Sequence, residues 1–147
     1  MAIKPLQFYD AGRLYFFDGT IIWKTVSKVT AVLLDDTYTP AADHEIYSDL
    51  TGELTMADYA QKEVISRTTE RRNNNVLYKS NGLTWGNSVT ISAQYLVLVV
   101  GTPTALNSSD KLIGYVDFGE LVECVSSQFS FSPDNNTWFT VEEPIWV

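Results

Sequence analysis

The chain has 147 residues, of which 45% are hydrophobic and 13% aromatic, and its ten basic and eighteen acidic side chains give a net charge of −8. This length suits one domain, and the apolar content excludes a disordered chain. An acidic chain repels a phosphate backbone, so nucleic acid is not an expected partner. Cys124 is the only cysteine, which excludes an intrachain disulfide.

The start of the chain is predicted to form an arm. Residues 1–13 show no clear strand or helix pattern, so we assign them to an N-terminal arm and residues 14–147 to the folded domain. The opening sequence MAIKP lacks the apolar stretch of a signal peptide, and no segment approaches the roughly 20 apolar residues of a membrane span. We therefore expect synthesis in the cytoplasm and no membrane partner.

The first predicted elements are three strands and a loop. Leu14–Phe17 and Ile21–Val26 flank Asp18-Gly19, a dipeptide that favours a tight hairpin. Val29–Leu34 is apolar on both faces, as expected of a strand buried inside the fold. Ala41–Tyr59 has no sustained period and carries many carboxylates, which predicts a long acidic loop.

The second half of the chain contains further strand patterns separated by turn residues. These are Glu63–Thr68, Val76–Lys79, Gln94–Val100, Leu112–Phe118, Gln128–Ser132 and Thr137–Val141. Gln94–Val100 is the longest apolar run of β-forming residues and is predicted at the centre of a sheet. Leu112–Phe118 is expected to lie antiparallel to it and to stop at an Asp-Phe-Gly-Glu corner, where Asp117 accepts backbone hydrogen bonds.

This succession of about ten short strands, without a βαβ rhythm, predicts a mainly β protein. We expect a single antiparallel β-sandwich or barrel, and a jelly-roll-like sandwich is the preferred version.

Catalytic chemistry is not indicated by the residue types. His44 is the only histidine and lies far from Cys124 in sequence, so a Cys–His dyad is conceivable but disfavoured. No glycine-rich nucleotide-binding pattern occurs, and a zinc site lacks a close pair of ligands. The six loop carboxylates do not follow the spacing of a calcium loop; they are Asp35, Asp36, Asp43, Glu45, Asp49 and Glu53. We expect no enzyme activity, no cofactor and no metal.

Aromatic side chains are the candidates for partner binding. Their number suits a β core, a protein interface or a sugar-stacking platform. End segments are often exposed and free to dock, which favours an interface near the termini. The predicted partner-binding residues are Phe8, Tyr9, Tyr15, Phe17, Trp23 and Trp146.

Several segments resemble a family of small acidic virion proteins of tailed bacteriophages. The most specific is Leu112–Glu120, which reads LIGYVDFGE, and the resemblance extends over roughly Lys28 to Asp134. Weaker matches are Lys28–Leu34 with Tyr38-Thr39-Pro40, Asp43-His44, Asp49, Gly52-Glu53, Leu83-Thr84-Trp85, Ile91, Ala93, Tyr95 and Phe129. The chain departs from the family at Ala57–Lys62, where a glycine-rich stretch is expected, and at both ends.

The resemblance implies a non-enzymatic structural protein of the virion. The expected role is a capsid decoration, or cement, protein on the exterior of the head. Its expected partners are the major capsid protein and other copies of itself. Two alternatives stay open, which are a tail or baseplate accessory protein and a carbohydrate- or receptor-binding module.

Overall fold

A computed structural model of the protein describes residues 5–73 and 75–142. This part of the chain contains one α-helix, α1 (Asp10–Phe17), and short 3-10 turns at Tyr47–Asp49 and Asp134–Asn136. Its eight strands are β1 (Gln7–Phe8), β2 (Val29–Leu34), β3 (Lys62–Glu63), β4 (Thr68–Arg72), β5 (Asn75–Lys79), β6 (Leu83–Val100), β7 (Leu112–Phe131) and β8 (Thr137–Glu142). No helix of the described residues is long and apolar enough to cross a membrane.

The strands form two antiparallel sheets. A five-stranded sheet has the order β1-β7-β6-β2-β3, and a three-stranded sheet has the order β4-β5-β8. The predicted antiparallel sandwich is confirmed, and the described strands do not close into a barrel. The order differs from that of a jelly roll, because β6 and β7 form one long hairpin at the centre of a single sheet.

The central part of the five-stranded sheet, where β2 pairs with β6, is buried on both faces, which explains the apolar composition of these segments. One face, with Leu33, Leu96 and Leu98, packs in the larger core, to which the small sheet contributes Trp138. The opposite face carries a second core with Val32, Val97 and other residues, which the acidic loop covers through Tyr47 and Leu50. The predictions for β2 and for Gln94–Val100 are therefore confirmed.

The predicted hairpin of Leu14–Phe17 and Ile21–Val26 is wrong. Leu14–Phe17 is the second half of α1, and the residues after it form turns rather than a strand. Asp18-Gly19 ends the helix: the Asp18 N–H donates to the Leu14 carbonyl, and Gly19 adopts a left-handed φ of 82°. Glycine commonly ends a helix at this position. An Asp-Gly dipeptide can therefore mark either a hairpin turn or the end of a helix.

The N-terminal arm predicted for residues 1–13 is also incorrect for its described part. β1 pairs with β7, and the backbone of α1 lies directly on that strand at Gly12. A Cβ atom at Gly12 would lie 2.1 Å from the carbonyl oxygen of Ile113, so only glycine permits this approach. Tyr9 is completely buried. Residues 7–13 therefore belong to the folded domain.

Strand β7 continues through the expected Asp-Phe-Gly-Glu corner. Its register against β6 jumps from Asp117 opposite Tyr95 to Val122 opposite Ala93, so the corner is a bulge inside one long strand. The predicted strand Gln128–Ser132 is the far end of β7, with Phe129 buried as expected. The predicted strand Glu63–Thr68 is divided between β3 and β4, and Ser66 has a left-handed φ of 56° between them.

Candidate partner-binding surface

The structure describes five of the six predicted partner-binding residues and does not bring all five together. Tyr9 and Trp23 are buried, so the expectation that they are exposed is wrong. The Trp23 indole N–H donates to the Lys79 carbonyl at 2.9 Å, which fixes the ring inside the core. Trp146 lies outside the described residues. The remaining three, Phe8, Tyr15 and Phe17, lie on β1 and α1, and Phe17 is 70% exposed.

A cavity of about 270 Å³ lies between α1 and the small sheet, and we call it the aromatic groove. It is lined by Phe8, Arg13, Phe16, Phe17, Tyr78, Phe139, Thr140 and Val141. Tyr78 stacks on Phe139 with ring centroids 4.2 Å apart, and Phe8 and Phe16 meet Phe139 edge-on at 4.7 and 5.1 Å. These contacts hold the groove rigid, because each ring is fixed by its neighbours.

The outer face of α1 is the most apolar exposed helical surface in the described residues. Leu14 is 59% exposed and Phe17 is 70% exposed, and their spacing of three residues places them on one side of the helix. The opposite side carries Gly12 and Phe16 toward the core. Among the residues whose burial is described, three other large apolar side chains are exposed, those of Ile22, Ile65 and Val125. Leu14 and Phe17 are therefore the pair available for a contact from a rigid element.

Sequence reasoning identified Phe8 and Phe17 in this region but missed Leu14, Tyr78 and Phe139. The strand prediction for Leu14–Phe17 assumes a period of two rather than the helical period, so it does not place Leu14 beside Phe17. Tyr78 and Phe139 are directly opposite each other on β5 and β8. Only knowledge of that strand pairing identifies them as neighbours.

The acidic loop is fixed by a network around the Glu53 carboxylate. Tyr47 and Tyr59 both donate their hydroxyl groups to Glu53, the latter at 2.5 Å, and the Gln61 amide donates to it at 2.9 Å. Burial and the hydrogen bond to Glu53 raise the pKa of Tyr47 to about 12 and raise that of Tyr59 as well. The network satisfies the carboxylate, which therefore serves to hold the loop.

A second network joins the loop to the N-terminal segment. The hydroxyls of Tyr9 and Tyr38 lie 2.7 Å apart, and Tyr38 also lies 2.7 Å from His44 Nδ1. Burial raises the pKa of Tyr38 to about 12 and raises that of Tyr9.

Cys124 is on β7, where its Sγ lies 3.2 Å from the carbonyl oxygens of Val89 and Ser127. His44 and Cys124 therefore have separate partners and do not form a dyad.

The carboxylates of the chain do not assemble a metal site in the described residues. No group of three or more histidine, cysteine, aspartate or glutamate side chains is positioned to hold an ion there. Asp49 accepts the backbone N–H groups of Glu45 and Ile46, and these bonds lower its pKa. Asp35 binds Thr37, at 2.9 Å to the backbone N–H and 2.5 Å to the hydroxyl. These carboxylates stabilise turns.

Several residues of the LIGYVDFGE segment have clear structural roles. Asp117 accepts the Gly119 N–H at 2.7 Å, as predicted, and Gly119 has the left-handed φ of 86° that the bulge requires. A Cβ atom at Gly114 would lie 2.5 Å from the Gln7 carbonyl oxygen, so glycine is needed for β1 to pair there. Ile113 is completely buried.

A second cavity, of about 620 Å³, lies where β7 and β8 meet the chain before β1. Its lining includes hydroxyl groups and a carboxylate, from Ser130, Ser132, Thr137 and Asp134. Phe131 and Trp138 form its aromatic part. Trp138 is only 2% exposed, and its indole N–H donates to Ser80 at 2.7 Å. Its ring is therefore closed to stacking by a ligand.

Comparisons with known proteins give no relative for the chain. No family model, no curated protein and no solved structure matches it.

Proposed function

We propose that the chain is a non-enzymatic structural protein of a tailed-bacteriophage virion, and that it decorates the exterior of the assembled head. The observation that carries the proposal is the resemblance of LIGYVDFGE and the weaker segments to that family. The major capsid protein is the proposed partner. Binding to the assembled shell but not to free subunits would stabilise the shell by mass action.

The antiparallel sandwich is compatible with this role, although a fold alone does not define a function. The proposed contact is the outer face of α1, with Leu14 and Phe17 as its centre. Aromatic and aliphatic side chains on a rigid element make effective interface anchors, because little conformational entropy is lost when they are covered. Helix α1 packs closely on β7 at Gly12, which supports its use as such an element.

A binding experiment with decoration-free heads tests the contact. Leu14→Ser and Phe17→Ser should each weaken binding, with Phe17→Ser weakening it about 30-fold if the ring is a central anchor of about 2 kcal/mol. Val125→Ser is the matched control, because Val125 is 73% exposed and lies on the distal part of β7. Equal binding by all three variants would contradict the proposed surface.

The copy number of the chain in purified particles tests the assignment to the head. Quantitative mass spectrometry of separated heads and tails should find hundreds of copies in the head fraction, as expected of a protein that binds repeated capsid subunits. A handful of copies in the tail fraction would favour a tail or baseplate accessory protein instead. Absence from both fractions would refute a virion role.

A carbohydrate-binding module is the second candidate. The cavity beside Phe131 favours it, because hydroxyl groups and the Asp134 carboxylate lie there next to an aromatic ring. Such a module would bind glycans as an isolated protein, whereas a decoration protein need not. A glycan array therefore distinguishes the two candidates, and binding that is lost in Asp134→Ala would favour the module.

A further inference from the structure

Strand β8 has an edge that no other described strand covers. It is the outermost strand of the small sheet and pairs with β5 through residues 137–142. On the other side of an edge strand, alternate backbone N–H and C=O groups point away from the sheet and can pair with another strand.

The other sheet edges are short, charged or irregular. Strands β6 and β7 extend beyond their pairs with β2 and β1, but register shifts interrupt the ladder between Thr84 and Tyr95, and such bulges discourage edge pairing. β1 and β3 contain two residues each, so they offer little backbone for pairing. β4 carries Glu70, which binds Arg72 at 2.7 Å and Lys79 at 3.0 Å, and charges of this kind discourage edge pairing. β8 reads TWFTVE, with strong β-forming residues and no basic or proline residue. It is the described edge best suited to pairing.

The aromatic groove provides space along this edge. Three consecutive residues, Phe139, Thr140 and Val141, line it. Because successive side chains of a strand point to opposite faces, a cavity that touches all three runs beside the backbone. Its volume of about 270 Å³ can accept side chains of an incoming strand.

We propose that β8 pairs antiparallel with β8 of a second copy, across a two-fold axis beside Thr140, and so joins two small sheets into one. An antiparallel strand is complementary to itself under such an axis. The exposed Thr140 then lies opposite its counterpart, and Phe139 lies opposite Val141 of the second copy. In a chain with a net charge of −8, the stretch Thr137–Val141 carries no charge, so pairing there brings no like charges together.

This inference does not depend on the proposed function, because the dimer forms without a capsid. Light scattering after size-exclusion chromatography should give twice the chain mass of 16.5 kDa. Thr140→Lys should weaken dimerisation about tenfold, since the two-fold axis places two like charges opposite each other. Thr69→Lys on β4 is the matched control and should leave the dimer unchanged, because Thr69 is also exposed but lies on the charged edge.

Disulfide cross-linking tests the register. Thr140→Cys should give a covalent dimer on mild oxidation, whereas Thr69→Cys should not, and the native Cys124 is buried. A thermal unfolding curve confirms that each variant is folded. A wild-type monomer at all concentrations, or a dimer that persists in Thr140→Lys and cross-links only through position 69, would overturn the proposal. A dimer that binds no capsid would leave it intact while contradicting the proposed function.

Discussion

Replacing Gly12 with alanine tests how closely α1 is held on the sheet. In an unconstrained helix this change stabilises by about 1 kcal/mol, because alanine has the higher helix propensity. Here the new Cβ atom would lie 2.1 Å from the Ile113 carbonyl oxygen and 2.9 Å from that of Leu112. Helix propensity therefore predicts that Gly12→Ala stabilises the protein, whereas packing predicts that it destabilises the protein.

The size of the packing cost follows from the distances. Ordinary contact begins near 3.4 Å, so the helix would have to move outward by about 1.3 Å. That movement would strain the hydrogen bond from the Tyr9 N–H to Ile113, now 3.3 Å long, and would loosen the buried Tyr9 ring. Overpacking of this kind costs about 3 kcal/mol. After the gain in propensity, we expect a net loss of about 2 kcal/mol.

Chemical and thermal denaturation of the wild-type protein and of Gly12→Ala measure this change in stability. A loss of about 2 kcal/mol should lower Tm by roughly 6 °C in a domain of this size. Arg13→Ala is the control in the same helix, since Arg13 is exposed and makes only a 3.9 Å ion pair with Asp10. It should change stability by less than about 0.5 kcal/mol. A higher Tm for Gly12→Ala would refute the close packing of α1 on β7.

Two further predictions concern the loop networks. Glu53→Gln should lower the free energy of unfolding by about 2 kcal/mol, as measured by urea denaturation. The substitution removes the negative charge that accepts hydrogen bonds from the hydroxyls of Tyr47 and Tyr59. Asp43→Asn in the same loop is the control and should have little effect. The protein should also lose stability at alkaline pH. The pKa values of Tyr38 and Tyr47 are raised from 10.0 to about 12, so their contribution is complete below about pH 10 and is lost as pH rises toward 12. Absorbance titration of tyrosinate should show this delay relative to the urea-unfolded chain, and coincident curves would contradict it.

The sheet centre was predictable because its residues have few structural alternatives. Val29–Leu34 and Gln94–Val100 are continuous apolar runs of β-forming residues, and only burial on both faces accommodates them. Asp117 was also predictable, since an aspartate two residues before glycine commonly accepts the N–H of that residue. In each case the local chemistry agrees with the environment that the whole fold supplies.

Helix α1 was not predictable from local sequence. Its eight residues, DAGRLYFF, are too few to form a stable helix alone and include glycine and three aromatic or β-favouring residues. The helix exists because its inner side packs on β7, and that contact is visible only in the folded chain. The aromatic groove was missed for the same reason, because Tyr78 and Phe139 are 61 residues apart in sequence and meet through strand pairing.

The segment that carries the family resemblance and the proposed binding surface are physically connected. Gly114 permits β1 to pair with β7, and the Ile113 carbonyl is the point on which Gly12 seats α1. In this chain, β7 therefore holds the helix that carries the proposed binding surface. Leu14 and Phe17 are themselves exposed, so replacing them should leave this packing intact. Under the proposed function, substitutions at Gly12 or Gly114 should therefore lower the stability of the fold, whereas substitutions at Leu14 or Phe17 should lower only the affinity for the partner.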